Sequence, residues 1–539
     1  MRTTQQRDAH WWRHAVVYQI YIRSFADGDG DGTGDIAGIR SRLPYLADLG
    51  VDAVWINPWY RSPLIDGGYD VADYREIDPR YGTTAEAEAF IAEAGGLGIS
   101  VLIDLVPNHT SSEHVWFQEA LASAPGSPAR ARYHFVQGRG PDGIEAPSDW
   151  LSRFGGPAWT RVADGEWYLH LFDTSQPDLN WSNAEVLAEF EDIIRFWLDR
   201  GAAGMRVDVA HALAKDMTYP DVGPDGQDES HALTTVHPFW DRDEVHDIIR
   251  SWRAILDEYG DRMMVAEAWI KPDRRPLYLS PDEYHQAFEF DLLRAPWDAA
   301  RFSTIIQASI ADARAVGSVP TWVLSNHDVM RHPTRYALPP TVDLDTWSLI
   351  GSHDLLDEEV GARRARAAAL LTLALPGSMY LYQGEELGLP EVWDLPEHVL
   401  DDPVWPNSGK TRKGRDGCRV PIPWESGGPS LGFGAGPSWL PQPERFAALA
   451  VAAQDDDPAS MLNLYRAALV IRSARLVADD EIEMLDLGDS VIAFRRGNDV
   501  RCVVNMGPES VPLPDGDVLL SSSPVTGGQL PGDTSVWLA

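Results

Sequence analysis

The sequence predicts an α/β fold: a TIM (β/α)8 barrel with an inserted subdomain after its third strand and a C-terminal antiparallel β domain. Eight short runs rich in apolar and β-branched residues alternate with amphipathic helical stretches, which is the count of such a barrel. A long stretch rich in Pro, Gly and Trp follows the third run. The last part of the chain changes to the short alternating runs that are typical of antiparallel strands.

The barrel elements follow one another in a regular order. The predicted strands cover residues 16–22, 53–57, 100–105, 204–208, 263–267, 286–290, 321–325 and 379–382. Helix-like segments lie between them at 36–49, 84–97, 184–200, 245–259 and 362–375, and the second begins at a threonine suited to cap its first turn. Because helices separate successive strands, we expect the strands to run parallel to one another.

Two irregular stretches and one change of period divide the chain into segments. The first part of the barrel, domain A, takes residues 1–105, and the stretch 106–173 is too long for an ordinary loop and is predicted to be a small subdomain B. The barrel resumes over 174–475, with an irregular insertion at 390–442. Short alternating runs then predict the C-terminal β domain at 476–539. A chain of 539 residues, 44% of them hydrophobic, is long and apolar enough for several domains.

Composition restricts the partners of the chain. A formal net charge of −37 would repel a nucleic acid backbone, so we expect no nucleic acid partner. Two cysteines, Cys418 and Cys502, are too few for a disulfide framework or a cysteine metal site. No apolar run approaches the length of a membrane span and the N-terminal residues lack an apolar signal core, so we expect a soluble, cytoplasmic protein without a membrane partner. The sequence leaves the oligomeric state open.

Charged and imidazole side chains gather at the carboxyl ends of four predicted strands. They are Asp104, Asn108 and His109 in DLVPNH, Arg206, Asp208 and His211 in GMRVDVAH, Glu267 and Trp269 in VAEAW, and Asn326, His327 and Asp328 in SNHD. Any one of them alone fits a buried salt bridge or a capping group. Together they would destabilise this end of a barrel, and a cluster kept at such a cost indicates a function. Barrel enzymes carry their active sites at this end.

Three of these carboxylates suit the cleavage of a glycosidic bond, in which one carboxylate attacks the anomeric carbon and a second protonates the leaving oxygen. Arg206 lies two residues before Asp208, so both side chains are expected on the same face of the strand. A cation there would lower the pKa of Asp208 and keep it ionised, as a nucleophile requires. Glu267 has no such neighbour in sequence and is the better proton donor, while Asp328, next to His327, suits the binding of sugar hydroxyls.

These motifs, in this order and spacing, resemble the α-amylase superfamily, glycoside hydrolase family 13, over essentially the whole chain. The resemblance implies a retaining mechanism through a covalent glucosyl-enzyme, with Asp208 as nucleophile, Glu267 as general acid/base and Asp328 as transition-state stabiliser. It also implies a set of positions that bind the non-reducing terminal glucose: Asp70 in GGYD, Tyr69, His109, Arg206 and His327.

Two further segments resemble the exo-acting α-glucosidases, oligo-1,6-glucosidases, dextran glucosidases and trehalose synthases of this family. They are QPDLN at 176–180 and GRDGCRVPIPW at 414–424. In those enzymes the first arginine of the second segment, here Arg415, pairs with the GYD aspartate, here Asp70, and closes the far end of the pocket. A closed pocket admits one terminal sugar, so the resemblance implies an exo-acting enzyme.

We therefore expect an exo-acting, retaining α-glucosidase that releases α-glucose from the non-reducing end of short α-glucosides of the maltose or isomaltose type. The linkage is left open: Val209, after the nucleophile, accompanies α-1,6 enzymes, whereas the following AHAL resembles actinobacterial α-glucosidases, which often take α-1,4 substrates. The alternatives are a strict oligo-1,6-glucosidase and a glucosyl-transferring relative such as a trehalose synthase or sucrose isomerase. A non-catalytic, transporter-associated relative is disfavoured, because the three carboxylates are all present.

A loop after the first strand carries alternating aspartates. In DGDGDGTGD, Asp27, Asp29 and Asp31 take positions one, three and five of an oxygen-ligated calcium loop, Thr33 can offer its carbonyl, and Asp35 takes position nine. The twelfth position is a glycine rather than a glutamate, so the loop is not a complete EF-hand. Related α-glucosidases hold one calcium in a similar loop. We expect one structural Ca²⁺ rather than an unliganded loop of mutually repelling aspartates, and no organic cofactor.

Overall fold

Eight parallel strands form the centre of the molecule. The computed structural model describes residues 10–227, 236–350, 353–477, 480–497 and 500–539, so residues 1–9 of the predicted first segment lie outside the described residues. In chain order the strands are β1 (Val16–Ile20), β2 (Ala53–Ile56), β3 (Ser100–Leu105), β4 (Gly204–Val207), β5 (Met263–Ala266), β6 (Gln286–Ala287), β7 (Thr321–Val323) and β8 (Ser378–Tyr382). They pair in the order β6-β5-β4-β3-β2-β1-β8-β7, and a parallel bridge between Phe288 and Thr321 joins the two edges. The barrel is closed, and the predicted fold class is confirmed.

Six of the predicted strands extend one to three residues beyond the observed ends, because the chain leaves the sheet where the functional residues begin. Asp208 N–H still donates to the Leu105 carbonyl at 2.8 Å, and Glu267 N–H donates to the Val207 carbonyl at 2.9 Å. The chain then turns sharply at Val209, whose φ is 45°. Asp208 and Glu267 therefore lie at the rim of the barrel rather than inside its ladder.

Helices surround the barrel. The longer ones are Thr84–Gly96, Ala184–Asp199, Val245–Tyr259, Ala299–Ala315, Glu358–Ala374 and Met461–Arg475, and shorter ones include Ile36–Ser41, Leu43–Leu49, Phe290–Arg294, His332–Ala337 and Leu344–Ile350. The first long helix begins with a capping box between Thr83 and Glu86, which satisfies free backbone donors of its first turn. The single helix predicted at 36–49 is two helices, since Pro44 starts a new one after Arg42.

The segment between β3 and β4 contains structure of its own. A helix (Val115–Ala122) is followed by a three-stranded antiparallel sheet in the order Phe135–Gln137, Glu166–Leu169, Trp159–Arg161. Trp150 and Trp159 pack in one buried cluster with Val209, Tyr219 and Trp240 from the chain after β4. This aromatic cluster joins the inserted segment to the loop that follows Asp208.

The C-terminal part is a five-stranded antiparallel sheet. Its strands are Ile482–Leu485, Val491–Arg496, Val500–Asn505, Thr534–Leu538 and Val518–Ser521, in that spatial order, and Val511–Pro512 pairs with Gln529–Leu530 beside it. The sheet packs on helix Glu358–Ala374, where the Trp537 indole N–H donates to the Leu370 carbonyl at 3.0 Å. Within the described residues, we find no helix with the length and apolar character needed to cross a membrane.

Candidate active site

The carboxyl ends of the barrel strands surround a pocket of about 280 Å³, near the lower end of the range for small-molecule sites. Most of the predicted site residues line it: Tyr69, His109, Asp208, Glu267, His327, Asp328 and Arg415. Further lining residues include Asp66, Phe154, Phe172, His211, Trp240 and Trp269. Arg206 and Asp70 do not line it, and both are buried, 1% and 0% exposed.

Arg206 lies beneath the pocket and joins two strand ends. Its Nη1 donates to Asp208 Oδ1 at 2.5 Å and to Asp104 Oδ1 at 3.0 Å, because Arg206 and Asp104 face each other in the β3–β4 register. Asp104 also accepts from Tyr69 Oη at 2.9 Å and from Trp55 Nε1 at 3.0 Å. Burial raises the pKa of Asp104 to about 6, although Arg206 opposes the rise. Asp104 therefore fixes Arg206 and Tyr69 from below.

Arg206 contacts Asp208 and lowers its pKa, as expected, but burial outweighs this effect and the net shift is upward. Burial raises the pKa of Asp208 well above its ordinary value, and the Arg206 guanidinium only reduces the rise. The neighbouring carboxyls of Glu267 and Asp104 raise it further. The site consequently binds protons more tightly than isolated carboxyls would.

The pKa of Glu267 is raised as well, and Arg206 lies farther from Glu267 than from Asp208. Burial and the charge of Asp328 raise the pKa of Glu267, while Arg206 Nη2 lies 4.0 Å from Glu267 Oε2. Since the guanidinium is 2.5 Å from Asp208 but 4.0 Å from Glu267, it favours the ionised form of Asp208 more than that of Glu267. The Val209 N–H donates to Glu267 Oε2 at 2.7 Å and orients the carboxyl.

Val209 reaches this hydrogen bond through an unfavourable backbone conformation. Its φ of 45° lies in the left-handed region, which a β-branched residue rarely adopts. Its backbone N–H points to the Glu267 carboxyl, and its side chain belongs to the aromatic cluster of the inserted segment. The surrounding packing stabilises the strained residue, as is typical of functional sites.

Asp328 lies among cations. Arg415 Nη1 and Arg419 Nη2 each lie 3.1 Å from Asp328 Oδ1, and His327 Nε2 is 3.2 Å from Oδ2. Burial alone would raise the pKa of Asp328, but these groups lower it well below its ordinary value. Asp328 is therefore ionised.

His327 is neutral, because burial lowers its pKa well below the ordinary value. The Gln19 amide nitrogen lies 2.7 Å from His327 Nδ1 and donates to it. The imidazole proton is therefore assigned to Nε2, which faces Asp328. The imidazole stacks on the Tyr69 ring with centroids 5.1 Å apart. His109 is neutral as well, with a pKa lowered to about 4 by burial, and its Nε2 lies 3.0 Å from the Tyr69 carbonyl.

The expected pairing of Arg415 with Asp70 is wrong, since Arg415 pairs with Asp66. Its Nη2 lies 2.6 Å from Asp66 Oδ1, and its Nε lies 2.6 Å from Asp402 Oδ2. Together with the contact to Asp328, these ion pairs cross the end of the pocket. The predicted closing arginine is in place, but its partner is a different aspartate.

Asp70 instead builds the loop that carries Asp66. Its carboxyl accepts from Ser62 Oγ at 2.9 Å, from the Ile65 N–H at 2.9 Å and from the Asp66 N–H at 3.1 Å. The glycines at 67 and 68 have φ of 58° and 110°, so the chain reverses between the two aspartates. One aspartate faces the pocket and the other the loop interior.

At the inner end of the site, sequence reasoning missed three charged residues: Asp66, Asp402 and Arg419. Arg419 follows Arg415 by four residues, and its Nε donates to the His327 carbonyl at 2.9 Å. Its position in GRDGCRVPIPW was the one available signal. Asp402 lies in the irregular insertion, where no motif singled it out.

The aspartate loop brings together three of the four aspartates that were predicted to bind a metal ion. Carboxylate oxygens of Asp27, Asp29 and Asp35 lie within 4.8 Å of one another. Asp31 stands outside this group, and its Oδ1 accepts from the Thr33 N–H at 2.7 Å. Asp35 also caps helix Ile36–Ser41 by accepting from the Gly38 N–H at 2.6 Å. Three converging hard oxygen donors suit Ca²⁺.

Comparison with known sequences agrees with this geometry. The family model described as "Alpha amylase, catalytic domain" matches residues 19–480, and the model of a domain of unknown function matches residues 485–537. A probable α-glucosidase of Rhizobium meliloti is 38% identical over 93% of this chain and 90% of its own. An oligo-1,6-glucosidase of Parageobacillus thermoglucosidasius is 33% identical over 94% and 92%.

Solved structures agree as well. The α-glucosyl transfer enzyme XgtA superposes with a TM-score of 0.85 at 34% identity, covering 98% of this chain and 99% of its own. The trehalulose synthase MutB from Pseudomonas mesoacidophila has a TM-score of 0.84 at 30% identity with the same coverage. The chain belongs to the α-amylase family of glycoside hydrolases, and within that family it is similar to the α-glucosidases.

Proposed function

We propose that this chain is an exo-acting, retaining α-glucosidase that releases α-glucose from the non-reducing end of short α-glucosides of the maltose or isomaltose type. The observation that carries this function is the pair of carboxyls at neighbouring strand ends, of which Asp208 contacts Arg206 closely and Glu267 does not. An ionised nucleophile and a protonated acid in one pocket are the two groups that glycosidic cleavage requires.

The reaction has two steps. An Asp208 oxygen attacks the anomeric carbon while Glu267 gives its proton to the leaving oxygen, so that the glycosidic bond breaks and a glucosyl ester forms. Water then attacks the same carbon, Glu267 takes a proton from it, and Asp208 leaves as a carboxylate. Two inversions at one carbon retain the α configuration.

The surrounding charges suit the transition state. Positive charge develops on the ring as the bond to the leaving group breaks, and the ionised Asp328 stabilises it. His109, His327 and Asp66 line the same pocket and bind glucose hydroxyls. Arg206, held from below by Asp104, keeps Asp208 in position for attack.

The closed end supports an exo mode of action. The Arg415–Asp66 pair and the contact of Arg415 with Asp328 cross the pocket beyond the glucose site. A chain of sugars continuing past the terminal glucose would have to separate these buried charges, which is strongly unfavourable. One terminal sugar therefore enters, and the rest of the substrate lies toward the opening.

Two related functions share the same glucosyl-enzyme. A strict oligo-1,6-glucosidase is favoured by Val209, which lines the pocket, and by the similarity to the Parageobacillus enzyme. A glucosyl-transferring enzyme is favoured by the likeness to XgtA and MutB. In the second case a sugar hydroxyl rather than water reaches the intermediate.

We also propose that Asp27, Asp29 and Asp35, with Asp31 and the Thr33 carbonyl, hold one structural Ca²⁺. Support comes from the convergence of the first three carboxylates within 4.8 Å. Burial raises the pKa of Asp35, which fits a carboxylate whose charge is cancelled by a cation when the site is filled. The ion would stiffen the loop between β1 and the first helix.

Incubation with maltose, isomaltose, sucrose and trehalose, followed by NMR, tests the function. We expect free glucose that appears first as the α anomer. Initial release of β-glucose would overturn retention. Accumulation of an isomeric disaccharide in place of glucose would replace the hydrolase with the glucosyl-transferring function.

A further inference from the structure

A buried lysine, Lys215, reaches the pocket through the neighbour of His109. It follows Asp208 by seven residues, and its Nζ donates to Asn108 Oδ1 at 2.6 Å. Nζ also lies 2.8 Å from Asp178 Oδ2, and both charged side chains are 0% exposed. A buried ion pair is weak evidence for stability, because the loss of hydration offsets the attraction. The contact with Asn108 therefore suggests a role beyond stability.

Lys215 and Asp178 together fix the orientation of the Asn108 amide. The amide oxygen faces the ammonium group, and Nδ2 donates to Asp178 Oδ2 at 3.1 Å. In the flipped orientation the amide oxygen would face the carboxylate and the amide protons would face the ammonium group, so both contacts would be repulsive. The charges on its two sides therefore determine which amide atom is the nitrogen.

The oriented amide in turn assigns the proton of the His109 ring. Asn108 Nδ2 lies 3.2 Å from His109 Nδ1, so Nδ1 accepts and the ring proton is on Nε2. Nε2 lies 3.0 Å from the Tyr69 carbonyl, which can only accept. The Gln176 amide nitrogen is 3.1 Å from the same Nε2, but it donates to Asp66 Oδ2 at 3.0 Å and to the Tyr69 carbonyl at 3.4 Å. All these contacts agree with one tautomer.

The tautomer matters because His109 lines the pocket. With Nδ1 occupied by Asn108 and the proton on Nε2, the ring offers a sugar a hydrogen-bond donor rather than an acceptor. The ring also packs against Phe172, with centroids 5.2 Å apart. Lys215, which does not line the pocket itself, thus influences the hydrogen bond that the pocket wall can make.

We propose that Lys215 is a positioning residue for substrate binding: through Asn108 it holds His109 as the Nε2–H tautomer, which donates to a hydroxyl oxygen of the terminal glucose. This proposal rests on the proposed function, because it places the glucose of an α-glucoside against His109. Lys215 itself contacts neither the substrate nor the reacting atoms. Its effect on turnover therefore requires that His109 be present.

A double-mutant cycle between Lys215 and His109 tests this dependence. K215M should lower kcat/KM for an aryl α-glucoside about 10-fold, the loss of one oriented hydrogen bond to the substrate. In the H109A background the same change should lower kcat/KM less than about twofold, because the group through which Lys215 acts is already gone. The Tm should fall by the same amount in both backgrounds, since the ion pair with Asp178 is lost in each.

A second variant and a control complete the cycle. K215M leaves the Asp178 carboxylate buried without its cation, whereas K215M/D178N removes both charges and gives the cycle if K215M does not fold. The Asn108 amide then has no charge to orient it, so the same fall in kcat/KM is expected, again only where His109 is present. R130M is the matched control: it removes a buried cation 2.6 Å from Glu166 in the inserted segment, and should lower the Tm but leave kcat/KM within about twofold.

The outcomes separate the two proposals. A fall in kcat/KM that is as large in H109A as in the parent would make Lys215 a structural residue only and overturns the positioning role. An unchanged kcat/KM in K215M and in K215M/D178N overturns it as well. Both results leave the α-glucosidase function intact. Failure of the parent to cleave an aryl α-glucoside, maltose and isomaltose overturns the proposed function itself, and the positioning role with it.

Discussion

Two acid-rich regions of the molecule, the inner end of the pocket and the loop at 27–35, hold their carboxylates in opposite ways. In the pocket, Asp208 and Asp328 each have a guanidinium nitrogen within 3.1 Å. In the loop, Asp27 accepts from the Gly30 and Gly32 N–H groups, and Asp35 accepts from those of Gly28, Asp29 and Gly38. The described residues place no arginine or lysine in an ion pair with the loop aspartates.

The difference indicates a catalytic role for the carboxylates of the pocket and a structural role for those of the loop. A carboxylate whose charge the protein itself balances can act in catalysis without a metal, and its protonation is set by burial and by its neighbours. A carboxylate that contacts only backbone dipoles still repels the next one, so an added cation is stabilising there. The pocket should therefore govern turnover, and the loop should govern stability.

The largest effect is expected at Asp208. Replacing it in D208N removes the nucleophile, so kcat/KM for an aryl α-glucoside should fall about 10⁴-fold or more while the Tm changes little. Steady-state kinetics and thermal unfolding measure the two quantities. In E267A, added azide should restore turnover and give α-glucosyl azide, because the nucleophile is intact there. Activity of D208N within tenfold of the parent would contradict the assignment.

Asp66 and Asp70 provide a matched pair inside the pocket wall. D66N removes the partner of Arg415 and should lower kcat/KM about 10- to 100-fold, the loss of a hydrogen bond to a charged group. D70N disturbs three hydrogen bonds of a buried loop residue and should instead lower the free energy of unfolding by about 1–3 kcal/mol. Kinetics and denaturant unfolding separate the two. The reverse pattern would restore Asp70 as the binding residue.

The loop should respond to calcium. At a free Ca²⁺ concentration about 100 times its Kd, binding to the folded state alone stabilises by about 2.7 kcal/mol, so the Tm should rise on adding Ca²⁺ and fall with a chelator. The shift should vanish in D29N, which lacks one of the converging carboxylates, and persist in D208N. Equal shifts in D29N and the parent would place the metal elsewhere.

The smallest effect concerns pH. Glu267 must be protonated to act as an acid, and burial with the charge of Asp328 raises its pKa, so kcat/KM should fall as pH rises through that raised value, at most tenfold per unit. D328N removes a negative charge that favours the proton, so the alkaline limb should move to lower pH. Calcium or chelator should leave the limb in place, and a shift with calcium would mean that the two regions are coupled.

The sequence was most informative where one strand end carries several motif residues. Asp208, Glu267, His327 and Asp328 follow directly from strand ends, since parallel strands bring their carboxyl ends to one rim. The family resemblance, which supplied Asp70, placed it wrongly, because the direction of a loop side chain depends on the two glycines that reverse the chain before it. It missed Asp402, because that residue reaches the site only through the folding of a long irregular segment.

The sequence by itself determined the barrel, the family and the carboxylates proposed to cleave the glycosidic bond, because strand periodicity and short motifs are local properties of the chain. Tertiary structure decided which charges meet: that Arg415 pairs with Asp66, and that burial outweighs Arg206 in the pKa of Asp208. It also brought Arg153, Arg294 and Arg412, which come from separate segments, to the lining of one pocket. Contact and desolvation depend on groups distant in sequence, and only the folded chain brings those groups together.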